Sequence, residues 1–184
     1  HTIPRCIDGE WRDCDPMRGA EAIDDPDAAA IDSNCDGIDG DIARAIFVDR
    51  ETGNDANSGL WGSPVRTITR GIQRAEGAGR PHVYISIGIY HERVTVREGI
   101  SLFGGYNAAE GWARARTNTV AIKGGTTSVV CDGVRAPTLL DGLTIESDPA
   151  TAAGQSSYGA ILSFCSGLTF RDCTIRAGAV ARLS

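Results

Sequence analysis

The chain has 184 residues, 41% of them hydrophobic, with 24 Asp and Glu against 18 Lys and Arg and a net charge of −6. That length carries a domain with a real core, and that composition excludes a disordered tail. No apolar run approaches 18 residues, so no membrane span is expected, and the acidity disfavours nucleic acid as a partner.

The charge is unevenly placed. Residues 1–45 hold twelve Asp or Glu against four Arg, a balance of −8, which leaves the remaining 139 residues at about +2. The split predicts two units: an acidic, loop-rich segment over 1–45 that favours a cation, and a near-neutral body over 46–184. The first residue is His1 and the single methionine is Met17, so a processed N-terminus is expected. The six cysteines, Cys6, Cys14, Cys35, Cys131, Cys165 and Cys173, form no CxxC pair, and histidines number three. Zinc and iron–sulfur sites are therefore disfavoured. The even count suits disulfides in an oxidising compartment. All six are candidates, and spacing does not fix their pairing.

In chain order, residues 1–30 read as turns broken by DG and DP. They bury little apolar surface and need a disulfide or a metal to be ordered. Next comes 32-DSNCDGIDGD-41. Calcium takes six to eight hard oxygens, and EF-type loops offer them at positions 1, 3, 5 and 7, with glycine at 6. Asp32, Asn34 and Asp36 fall at 1, 3 and 5, Gly37 at 6, and the Ile38 carbonyl at 7. Position 12 is Ala43, so Asp39, Asp41 or a carboxylate of the Asp24–Asp27 cluster must close the shell. The predicted cofactor is calcium, held by Asp32, Asn34, Asp36, Ile38, Asp39 and Asp41. The other reading is an acidic turn with no ion.

At residue 45 the texture changes. AIFVD is a short strand, and the loop after it contains GNDANSG. There Asp49, Asn54, Asp55 and Asn57 suit either Asx turns or a second cation. In 65–79, Ile68, Ile72 and Ala75 share one face of an amphipathic helix ending at Gly77 or Gly79. Short β-branched runs follow, at 82–90, 93–96, 99–106, 118–125, 127–133, 137–147, 158–165 and 167–178, bounded by Gly, Asp and Asn. Residues 138–148 and 168–178 echo each other at a shift of 30: Leu140 matches Phe170, and Leu143-Thr144-Ile145 matches Cys173-Thr174-Ile175. A repeat at that period predicts a solenoid.

From Ile46 the chain also resembles secreted proteins of the pectin-lyase-like superfamily. The resemblance rests on FVD, then Gly53–Gly59, then Pro64–Ile68 with Gly71, Ile72 and Ala75, then Val83–Ile85 through Gly88–Glu92. ISLFGGYN (100–107), Trp112, Arg116 and NTVAI (118–122) extend it. It implies an all-β fold: a right-handed parallel β-helix whose N-terminal end is covered by the helix near 66–76. Residues 32–39 are similar to metal-binding D-N-D-C-D-G repeats of delta-proteobacterial surface proteins. The C-terminal end of the solenoid, lacking such a cap, is expected to be covered by further sequence or a partner.

The resemblance also raises a polysaccharide lyase or glycoside hydrolase as an alternative. Arg93, Arg97, Arg135, Arg171 and Arg176 are its candidate cationic groups. Asp141 and Asp172 fall at near-equivalent positions, although Asp141-Gly142 also reads as a turn. No convergent carboxylate–arginine cluster is legible, so no catalytic residue is assigned. The expected function is a secreted or cell-surface, calcium-stabilised module with a structural, adhesive or glycan-binding role, its partners glycans or other surface proteins.

Overall fold

The computed structural model describes residues 21–152 and 154–179, together with the backbone of 5–7 and 10–12. The first two strands, β1 (Arg5–Ile7) and β2 (Glu10–Arg12), pair antiparallel. The body begins with β3 (Ala45–Val48), followed by α1 (Ile68–Ala78). Next come β4 (His82–Ser86), β5 (Gly88–Tyr90), β6 (Val94–Thr95), β7 (Ser101–Asn107) and β8 (Ala113–Arg114). The last seven are β9 (Val120–Lys123), β10 (Thr127–Asp132), β11 (Thr138–Asp141), β12 (Leu143–Glu146), β13 (Tyr158–Ser163), β14 (Leu168–Arg171) and β15 (Thr174–Arg176).

These strands fall into three further sheets. The largest runs β14-β11-β7-β4-β3 with β8 added antiparallel on β7; the second runs β15-β12-β9-β5; the third runs β13-β10-β6. All pairings in them other than β7–β8 are parallel. The expectation of an all-β, right-handed parallel β-helix of pectin-lyase-like type is corrected by this arrangement. The structure is mixed, with parallel strands in three separate sheets of six, four and three strands, plus one helix. The physical reason lies in the echo. Its 30-residue step sets the register between β11 and β14 (Leu140 opposite Phe170) and between β12 and β15 (Thr144 opposite Thr174). It specifies those pairings and not one uniform coil along the chain.

All three sheets turn an apolar face to a common core. Val83 and Ile85, Leu102, Val120 and Ile122, Val129, Leu140, Leu143 and Ile145 meet there with Ile68, Ile72 and Ala75 of α1. Each fully buried side chain of this kind is worth about 1.5–3 kcal/mol. The helix is closed at both ends. The Thr67 hydroxyl accepts from Arg70 N, and Gly79 takes the left-handed conformation as its C-cap.

The six-stranded sheet is covered on its other face as well. Alternation along β3, β4 and β7 puts Phe47, Tyr84 and Phe103 in register on that outer side. Their rings meet edge to face at 5.6 and 5.9 Å, and Tyr84 stacks on Tyr106 at 4.7 Å. The acidic segment lies on this aromatic row. It contributes Ile38 to the cluster, and the Tyr106 hydroxyl donates to Asp39 O at 2.7 Å. Asp41 N donates to the Tyr84 hydroxyl at 3.0 Å, and Arg80 Nη1 donates to the carbonyls of Ile42 and Ala45. A segment too polar to make its own core is thus ordered by the outer face of a sheet.

Candidate functional site

The loop at 32–41 is built from carboxylates turned onto its own backbone. Asp32 accepts from Asp36 N (3.1 Å) and Gly37 N (2.8 Å). Asn34 Oδ1 accepts from Asp36 N, and Asn34 Nδ2 donates to Asp36 Oδ2. Asp36 accepts from Ile38 N and Ile42 N, and Asp41 accepts from Ala43 N. Asp24 joins them from upstream, taking Ser33 N and Gly40 N on a single oxygen, Oδ2, at 3.0 Å each. Gly37 supplies the positive φ, 114°, that the sharp turn needs.

Asp24, Asp32 and Asp39 are buried. Desolvation pushes the Asp24 carboxyl up to about 6; N–H donors from Gly40 and Ser33 oppose the rise, and the charges of Asp39 and Asp32 add to it. Asp32 and Asp36 are raised too, first by burial, with repulsion from Asp36 and Asp41 respectively also contributing. Among the described residues, no three His, Cys, Asp or Glu converge closely enough to form a preset metal centre.

Asp39, assigned to the same shell from sequence, faces the body. Its Oδ1 accepts from Asp27 N, and its Oδ2 accepts from Arg114 Nη1 at 2.8 Å. Arg114 also donates to Asp141, whose carboxylate takes Arg171 Nη2 at 2.8 Å. The side chains of Asp39, Arg114 and Asp141 are 1%, 8% and 3% exposed, so this is an interior ion network. Burial works to raise Asp141, but donors from Arg171 and Arg114 outweigh it and hold the carboxyl below its usual range. The Arg114 guanidinium also lies over the rings of Tyr106 and Phe103, at 5.4 and 5.8 Å.

The network floors a cleft of about 180 Å³. One wall is Arg114–Arg116 with Asn118 and Thr119, the base is Asp141–Thr144, and Asp27, Ala28 and Ala30 form the roof. Three arginines hold that roof by its carbonyls: Arg171 to Pro26, Arg114 to Asp27 and Arg116 to Ala28. At the mouth, Arg116 pairs with Asp172 at 2.6 Å, both about half exposed.

The sequence reading named Asp141, Asp172 and Arg171, and the structure brings them to this one place. It missed Arg114 and Arg116 as site groups. Arg176 lies apart, paired with Glu146, which also meets Lys123. Arg135 and Ala136 donate backbone N–H groups to Glu98. Arg93 and Arg97 line no part of the cleft.

The loop after β3 uses its acceptors for turns and for the helix. Asp49 takes Thr52 N, Asn54 takes Ala56 N, and Asn57 Nδ2 donates to Pro64 O. Asp55 accepts from Arg66 N, Thr67 N and the Thr67 hydroxyl. Glu92 supplies a second carboxylate at the start of α1, taking Ile68 N and Thr69 N at 2.8 Å each.

Cys131 and Cys165 form a disulfide across a separation of 34 residues. Cys35 is also disulfide-bonded, and Cys173 is a free thiol. The Cys6 side chain and Cys14 lie outside the described residues.

No protein-family model, curated protein or solved structure matches the chain. The likeness to the pectin-lyase-like superfamily is therefore corrected on this ground also: short turn and strand motifs carried it, and neither a family model nor a solved fold supports it. No helix among the described residues is long and apolar enough to cross a membrane. What the chain does is argued below from its own groups.

Proposed function

We propose that the chain is a secreted or cell-surface binding module whose acidic segment is stabilised by calcium and whose surface is presented to glycans or other surface proteins. The observation that carries the calcium reading is the set Asp24, Asp32 and Asp36, the first two buried and the third half-buried, each carboxyl raised by lost solvation and by its neighbours' charge. Arginine neutralises Asp39 from the body side. The rest of the cluster fits a hard divalent cation: Asp32, Asn34, Asp36 and Asp41 with the Ile38 carbonyl are oxygen donors of the kind calcium takes. Asp39 is ion-paired with Arg114, so closing the shell falls to the other carboxylates. The extracellular assignment is supported by the Cys131–Cys165 bridge, because such bonds persist in oxidising compartments.

The hydrolase alternative has less support. Such chemistry uses two facing carboxyls, one kept protonated. Asp141 is held ionised by two guanidiniums, and Asp172 is paired with Arg116. The test is thermal unfolding in excess calcium against EDTA. Calcium binding the folded state at one hundred times its Kd adds about 2.7 kcal/mol. The expected outcome is a higher, calcium-dependent midpoint. Identical transitions in the two buffers overturn the calcium reading.

A further inference from the structure

We infer that the cleft between residues 27–30 and the β11–β12 turn is a binding site for one neutral sugar ring, a hexose-sized polyol unit of a glycan. The inference rests on the glycan-binding reading above and places it at an address. Size is the first argument: about 180 Å³ takes one pyranose ring and not a helix or an extended chain of side chains.

Charge is the second. The cations around the cleft are matched by anions: Arg114 and Arg171 meet Asp39 and Asp141, and Arg116 meets Asp172. Among the described residues, a phosphate or uronate entering this space finds no unspent positive charge and meets the Asp27 carboxylate, while a cation finds Asp141 and Asp172 already paired with arginine and Asp27 alone beside them. A neutral ligand is what remains.

Hydrogen-bonding chemistry is the third. Thr144 and Thr174 stand opposite each other on β12 and β15, and both line the cleft with Thr119. Among the described residues, no intramolecular hydrogen bond ties up any of their hydroxyls, so each is open to donate and accept. At the mouth, Arg116 donors and Asp172 acceptors sit 2.6 Å apart. That combination matches a vicinal diol, whose two hydroxyls each offer a proton and a lone pair. The pair is about half exposed, so exchanging part of it for ligand contacts costs little. The deeper Asp39–Arg114–Asp141 network is buried and stays in place as a rigid base. Gly104, Gly105 and Gly142 line the cleft without side chains that would fill it.

The experiment is a titration of the full chain, in calcium, with cellotriose, mannotriose and chitotriose as neutral probes and digalacturonate as the acidic one. Backbone amide NMR shifts are read. The expected result is saturable binding of at least one neutral probe, with the largest shifts at Thr119, Thr144 and Thr174 and none with digalacturonate. Asp172→Asn and Thr144→Val should each weaken binding about tenfold while leaving the amide spectrum of the free protein folded. Asn at 172 gives up the charge that strengthens a hydrogen bond from the ligand, and Val at 144 gives up the hydroxyl of a half-buried side chain. Neutral-probe binding whose shifts map elsewhere, untouched by both variants, overturns the cleft assignment and leaves glycan binding standing. Preferred binding of digalacturonate at the cleft overturns the neutral-sugar inference. Absence of binding by every probe at millimolar concentration overturns both, while the calcium melt remains a separate measurement.

Discussion

Arg114 Nη1 donates to Asp39 Oδ2 at 2.8 Å, joining the acidic segment to a strand 75 residues further along the chain. The same guanidinium reaches Asp141 on β11, which lies beside β7 as β8 does, and both carboxylates are almost fully buried. Removing the guanidinium strands the buried charge of Asp39 and leaves that of Asp141 with Arg171 alone. Arg114→Ala should therefore cost about 3–5 kcal/mol in urea unfolding. Arg114→Lys keeps the charge but not the fork that serves both acids, and should recover only part of the loss. A loss below 1 kcal/mol for the alanine variant would show that the network contributes no net stability.

Asp24 gives the acidic segment a pH signature. Its folded carboxyl sits at about 6, above the unfolded value of 3.8. A group raised on folding binds its proton more tightly in the folded state. Its contribution is present in full below about 3.8 and is lost as pH rises through about 6. In EDTA, the wild-type chain should gain stability from this group as pH falls from 7 to 5. Asp24→Asn removes the charge and keeps an oxygen for Ser33 N and Gly40 N, which both bond a single oxygen in the wild type. The variant should melt above wild type at pH 7, with the gap narrowing by pH 5 and closing only towards pH 3.8. A gap independent of pH would remove Asp24 as its source.

The Cys131–Cys165 bridge ties β10 to the turn after β13 across 34 residues. Loop-closure entropy alone assigns such a crosslink roughly 3–4 kcal/mol. The double variant Cys131→Ser/Cys165→Ser should lose about that much, and wild type in reductant should lose at least as much, because the Cys35 disulfide is reduced with it. Cys131 is fully buried, so its hydroxyl replacement adds a desolvation cost. A double variant as stable as wild type would mean that residual structure in the unfolded chain already holds the β10 and β13 segments near each other.

Glu92 lies 24 residues from Ile68 and accepts the first free N–H groups of α1. Glu92→Ala should cost about 1–2 kcal/mol, through lost capping and lost charge at the positive end of the helix. Glu92→Gln retains an acceptor and should fall between the two. The measurement is the urea midpoint at constant m-value. Equal midpoints for all three proteins would contradict the capping role.

Much of the local structure was legible in sequence. Ile68, Ile72 and Ala75 marked the buried side of α1, and every β-branched run from 82 to 178 contains a strand. The echo of Leu140 with Phe170 turned out to be a hydrogen-bonding register. Period and turn residues report such features because they are local. The division into three sheets was not legible, since strand identity says nothing of which neighbour a strand chooses. Nor was the role of Phe47, Tyr84 and Phe103. Runs read as continuously apolar hide that alternate residues face two different layers. The site suffered most. Asp39 was read with its sequence neighbours as a cation ligand, while its partner Arg114 sits in a stretch with no motif of its own.

Two glycines with opposite surroundings separate packing from backbone freedom. Gly104 lies in β7 against β11, and a methyl group there would stand 2.5 Å from Gly142 O and 2.9 Å from Leu143 Cδ2. The first of these atoms is backbone in the β11–β12 turn, which is held by the Gly142 N bond to Arg171 O at 3.1 Å and has little room to move. Gly104→Ala should cost about 1–3 kcal/mol or more, and the shift at Gly142 should disturb the base of the cleft. Gly77 is on α1 near its end, with nothing within 4 Å of an added methyl and no left-handed backbone angle. Gly77→Ala should instead stabilise by about 0.5–1 kcal/mol, because alanine loses less backbone entropy in a helix. Chemical denaturation of the two variants beside wild type checks both signs at once. Destabilisation by both would point to a general intolerance of added bulk, and the close approach of β7 to β11 would lose its place as the cause.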